Sequence, residues 1–86
     1  FSEKVAFELP SQDAVLGHLA SWMRARNVAL EASFELAGLV ELLGETSIAD
    51  AEAVVQAALN IAIGRGDTPV VLTRHDALHA IQLVLG

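Results

Sequence analysis

The segment from Ile48 to Ile63 carries apolar residues almost all the way round a helix. Val54, Val55, Leu59, Ile61 and Ile63 are joined by alanines on nearly every remaining side. A helix written this way is expected at the centre of a fold, with other elements packed round it. Its ends are marked. Ser47 followed by Asp50 resembles a capping box with Asp in place of Glu or Gln, and Gly64 and Gly66 break the pattern. The rest of the chain must therefore supply amphipathic partners for one buried helix.

Three further helical segments do so. Ser11 is placed to cap a first helix running to about Arg26, with Val15, Leu16, Leu19, Ala20 and Met23 as its core stripe. Gly17 lies inside it and weakens it by about 1 kcal/mol relative to Ala, while Arg24 and Arg26 suit the negative end of the helix dipole. Ser33 is expected to cap a second helix, Phe34 to Leu43, buried through Leu36, Leu39, Val40 and Leu43 and stopped by Gly44. After a turn at Asp67, Thr68 and Pro69, Val70 to Leu72 reads as a short extended link. Thr73, with Asp76 three residues on, caps a last helix whose stripe is Leu78, Ile81, Val84 and Leu85. At the other end Val5, Phe7 and Leu9 alternate with Lys4, Ala6 and Glu8, the period of a half-buried strand ended by Pro10. A strand without a partner leaves backbone groups unsatisfied, so this one reads as an arm or as part of a sheet formed elsewhere. The expected class is all-α: a four-helix bundle with a short N-terminal strand or extended arm.

Composition narrows the function. The chain has 86 residues, 53% of them hydrophobic and 19% charged, which suits one compact domain rather than disorder. The formal net charge is −6, and of the basic residues Lys4, Arg24, Arg26, Arg65 and Arg74 only Arg24 and Arg26 are close in sequence. No nucleic-acid partner is expected, because phosphate-backbone binding needs clustered positive charge. No apolar run approaches the roughly 20 residues of a membrane span, and the N-terminus lacks the pattern of a signal peptide. The absence of cysteine excludes disulfides and thiolate metal sites and fits a cytoplasmic protein.

Few constellations carry chemistry. His75 and His79 have the i, i+4 spacing of paired metal ligands, but no glutamate lies between them in the catalytic pattern and Asp76 is engaged as a cap. They read as a solvated pair, with no metal expected. No nucleophile elbow is present, and Gly64-Arg65-Gly66 lacks the Lys-Ser/Thr of a P-loop, so it reads as a helix stop. No catalytic residue is assigned. His18 and Trp22 are also i, i+4, and so adjacent on the first helix. A planar pair at a helix edge can stack on a base, while a Trp at such a position is also a common core residue.

Several segments together resemble one family. Phe1-Ser2-Glu3-Lys4-Val5-Ala6-Phe7-Glu8-Leu9-Pro10 is similar to the Phe-Asp-x-x-Ile-x-Phe-x-Leu-Pro stretch of AAA ATPases. Thr46-Ser47-Ile48-Ala49-Asp50 resembles their Phe-Ser-Gly-Ala-Asp motif, and Ala57-Ala58-Leu59-Asn60 the alanine-rich helix that follows it. The stretch from Val71 through Thr73, Asp76 and Ala80 to Ile81 is similar to a Val-Thr-x-x-Asp-Phe-x-x-Ala-Leu ending. The order and spacing of the four carry the resemblance, across essentially the whole chain.

The resemblance implies the small helical lid of an AAA-type ATPase. Residues 1–10 would be the strand and hinge from the large ATPase subdomain, and residues 11–86 the lid. His18, Trp22, Ser47, Ile48 and Ala49 fall at positions facing the adenine side of ATP or ADP. Mg and the phosphates would be held by the large subdomain, through Walker motifs that this chain lacks. The implied partners are the large subdomains of the same and neighbouring subunits in a ring homo-oligomer such as a hexamer, acting in protein remodelling. An apolar edge is expected round Trp22, Val5 and Phe7. Two positions depart from the pattern: Ile48 replaces the usual glycine, limiting close backbone approach, and Val15 replaces a common arginine. The alternative is a stand-alone helical adaptor that takes a partner helix or peptide in an apolar groove.

Overall fold

The computed structural model describes residues 10–66 and 69–86; the expected strand and hinge strand-side residue Leu9 lie outside the described residues. Four helices and two short strands follow one another: α1 Gln12–Ala25, β1 Ala29–Leu30, α2 Leu36–Leu43, α3 Ile48–Gly64, β2 Val71–Leu72 and α4 Arg74–Val84. The chain is mainly helical, as expected.

Local chemistry sets most of the boundaries. Ser11 Oγ accepts from the Ala14 amide at 3.1 Å, which satisfies one of the free amides at the start of α1. Asn27, at φ 55°, turns the chain out of that helix while the Val28 amide donates back to the Met23 carbonyl at 3.0 Å. Ser47 Oγ accepts from the Asp50 amide at 3.1 Å, so the forward half of the expected capping box forms at α3. The full box forms at α4. Thr73 Oγ1 accepts from the Asp76 amide at 3.0 Å, and Asp76 Oδ2 accepts from the Thr73 amide at 3.1 Å. Gly44, at φ 67°, ends α2 as its sequence position indicates.

The second helix begins two residues later than expected. Ser33 does not cap it; the Phe34 amide closes a turn onto the Glu31 carbonyl at 3.0 Å, and Glu35 occupies the cap position without a side-chain bond. Phe34 is instead buried in the core ahead of the helix. The segment before that turn holds a strand that the sequence did not announce. β1 pairs in parallel with β2, Ala29 opposite Val71 and Leu30 opposite Leu72, so the extended link expected at 70–72 is one half of a two-stranded sheet. The Glu31 amide extends the pairing to the Leu72 carbonyl at 2.9 Å, and Glu31 Oε2 accepts from the Arg74 amide at 2.7 Å, capping α4 from across the sheet.

The core gathers Val15, Leu19, Trp22 and Met23 from α1, Leu39, Val40 and Leu43 from α2, and Ala51, Val54, Val55, Ala58 and Ala62 from α3. Phe34, Leu72, Ala77 and Ala80 complete it. α3 is the hub, packing on α1, α4 and β2, with its most extensive contact to α4. Two expectations need correction. α3 is not buried all round, since Ala53, Gln56, Asn60 and Ile63 face solvent, with Ile63 55% exposed. In α4 only Ile81 of the expected stripe packs against the core: Ala77 and Ala80 are the buried residues, while Leu78, Val84 and Leu85 are exposed. The cause is close approach. The buried faces of α3 and α4 are both rich in alanine, and small side chains let two helix backbones draw together. The long side chains are left at the margins.

Candidate functional site

α1 and α3 meet at the start of α3, and there most of the expected site residues lie. His18 is half-buried on α1, and its Nε2 contacts Glu52 Oε2 on α3. Glu52 stands four residues after Ile48, so the two share a face of α3 one turn apart. Ile48 is half-buried and packs against the core, Ser47 is half-buried as the cap, and Ala49 is exposed. The contact joins residues 34 apart in sequence and ties the middle of α1 to α3 one turn after Ile48.

The charged residues of this edge are acidic. Asp50 lies in the first turn of α3, where a carboxylate suits the positive end of the helix dipole, and Glu52 follows it. Such an edge fits an uncharged ring better than a phosphate. Ile48 offers apolar surface, Ala49 leaves room, and His18 offers a flat ring with one nitrogen engaged by Glu52 and, among the described residues, no partner on the other.

Trp22 is placed differently. It is 8% exposed and belongs to the core, not to an open apolar edge, and the Arg26 guanidinium covers its ring at 3.9 Å from the centroid. Arg26 Nη1 also donates to the Trp22 carbonyl at 3.2 Å, which fixes the cation on the ring. The indole is therefore part of the core packing, with the face under Arg26 closed to a base. Val5 and Phe7, expected beside it, lie outside the described residues.

Elsewhere, His75 and His79 are exposed and line a shallow depression with Leu78, Ile81 and Gln82. Among the described residues no group of three His, Cys, Asp or Glu side chains could hold a metal ion. A second depression runs beside the start of α2, lined by Phe34, Glu35, Gly38, Glu41 and Arg74 among others. Neither depression includes any of the five residues expected to face a nucleotide. Among the described residues no helix is long and apolar enough to cross a membrane.

Sequence reasoning missed two polar links. Glu52 reads as one more polar position of an alanine-rich helix, and its tie to His18 needs the packing of α1 on α3. Arg65 reads as part of a helix stop, yet its Nη1 meets Asp76 Oδ1 and its Nη2 donates to the Val71 carbonyl at 3.2 Å. Burial alone would push the Asp76 carboxyl up; the bonds from Arg65 and Thr73 outweigh it and hold the group below its ordinary value. This is a structural joint between the end of α3, β2 and the start of α4. The chain matches no protein-family model and no curated protein.

Proposed function

We propose that the chain is the helical lid of an AAA-type ATPase, covering the adenine side of a nucleotide whose phosphates and Mg are held by a large subdomain. The observation that carries the reading is the His18–Glu52 contact, which ties α1 to α3 one turn after Ile48. The acidic character of that edge agrees with a role at the base and not at the phosphates. Four helices with the third as the hub are in keeping with the sequence resemblance. Contact would fall on His18, Ser47, Ile48 and Ala49, with Trp22 acting through packing. In a ring, a lid bound to its own large subdomain and to a neighbour's would convert hydrolysis into rigid-body motion.

The test is made on the parent protein. The reading expects a P-loop in the part of the reading frame before Phe1 and ATP hydrolysis by the whole parent, with none by the 86-residue chain alone. Ala49→Trp, which fills the exposed base-side position with bulk, should raise the parent's KM for ATP. A parent without a P-loop, or turnover by the isolated chain, would overturn the reading. The adaptor alternative draws on the exposed Leu78, Leu83 and Leu85 of the α4 end, and a native start near Phe1 would favour it.

A further inference from the structure

We propose that His75 and His79 form a binding site for a divalent transition metal of the copper or zinc class, held as a chelate across one turn of α4. The site stands apart from the nucleotide edge and holds whether or not the chain is a lid. The two histidines are four residues apart on one face of the helix, where Cβ atoms lie about 6 Å from one another. Both are exposed, both line one shallow depression, and neither ring has a hydrogen-bond or ion-pair partner among the described residues. Bonds of about 2.0–2.1 Å from one metal to two imidazoles ask for nitrogens about 3 Å apart, which side-chain rotation supplies from that Cβ spacing. Gln82, three residues after His79, lines the same depression and adds an amide oxygen to this face.

The turn that carries His75 is held unusually well. His75 is the second residue of α4, where helices ordinarily fray. Here the turn is closed by the capping box of Thr73 and Asp76, by Arg65 pairing with Asp76, and by Glu31 Oε2 accepting from the Arg74 amide. The four-residue spacing is therefore already helical before a metal arrives. Ala77 and Ala80, which pack α4 into the core, lie on the opposite side of the helix, so binding does not compete with folding. The donor set decides the metal. Two neutral imidazoles, with no third His, Cys, Asp or Glu beside them among the described residues, suit copper or zinc and not Mg or Ca, which take oxygen ligands. The remaining positions on the metal fall to Gln82 and water.

The experiment titrates the full 86-residue chain with zinc ion at neutral pH, where an ordinary imidazole is mostly free of its proton, and follows the ring signals of the three histidines and the thermal midpoint. One metal should bind per chain, with the His75 and His79 signals moving together and the midpoint rising with metal concentration. Copper(II) should bind more tightly than zinc, and Mg should leave both readouts unchanged. Because the second nitrogen acts intramolecularly, His75→Ala and His79→Ala should each weaken zinc binding by at least about tenfold. Both side chains are exposed, so both variants keep the fold. Full zinc affinity in either variant would reduce the pair to two independent imidazoles and end the proposal. So would zinc that moves His18 while leaving His75 and His79 in place, or a response to Mg equal to that for zinc.

Discussion

Asp76 is 1% exposed at the start of α4 and its carboxylate carries two duties: it accepts from the Thr73 amide in the capping box and pairs with Arg65. Its carboxyl is held below the ordinary value, so the folded state binds its proton less readily than the unfolded chain does. The sign follows. The stabilisation is complete above the ordinary carboxylate pKa of about 3.9 and is lost as pH falls from there through the lowered folded value. Asp76→Asn should therefore reduce stability by about 2 kcal/mol at neutral pH, with the difference from the parent sequence shrinking in acid. Thermal melts of both proteins from pH 7 to pH 2 check it, and a difference that stays constant would contradict the linkage. The cap was legible from the spacing of Thr73 and Asp76, because capping is a local three-residue event. The Arg65 partner was not, since it depends on how the chain returns from α3 through β2. For the same reason the spacing of His18 and Trp22 drew attention to His18, but nothing in the sequence pointed to its contact with Glu52.

At the scale of elements, α1 holds a correctable weakness. Gly17 is exposed within the helix, and a Cβ built there would meet nothing within 4 Å. Gly17→Ala should stabilise the domain by about 0.5–1 kcal/mol, read as a higher midpoint in urea. A neutral or negative effect would mean that α1 is not helical there in solution. Gly44, at φ 67°, predicts the reverse: Gly44→Ala should cost about 1 kcal/mol, because a side chain is strained in that conformation. The helices themselves were readable from apolar spacing, and α1 and α3 start at their expected caps. Two features were not readable. β1 is two residues long, too short for an alternating pattern, and exists only because β2 pairs with it. The stripe of α4 was read from Leu78, Ile81, Val84 and Leu85 because size usually marks the buried face, whereas here the buried face is Ala77 and Ala80 with only Ile81 of the four packed against the core. Close helix contact through small residues inverts the usual cue. Ala80→Leu should consequently destabilise by about 1–3 kcal/mol through overpacking, in a chemical-denaturation series with Leu78→Ala as the mild control.

The whole molecule is a hub helix packed on α1 and α4, with α2 held against those two, and one short sheet that ties the loop after α1 to the entry of α4. Asp50 and Glu52 make the start of α3 acidic, while the larger exposed apolar residues lie along α4 and just after it, at Leu78, Leu83, Val84 and Leu85, and at Ile63. On the lid reading the first surface meets a base and the second is free to meet another subdomain. An isolated lid should bind nucleotide weakly, because the phosphate contacts that dominate affinity lie outside it. The measurement that bears most directly on this account is an amide-shift titration of the chain with ADP. The account predicts weak, fast-exchanging shifts confined to His18, Ile48, Ala49 and Glu52. Shifts centred instead on Leu78, Leu83 and Leu85, or tight binding anywhere on the chain, would contradict it.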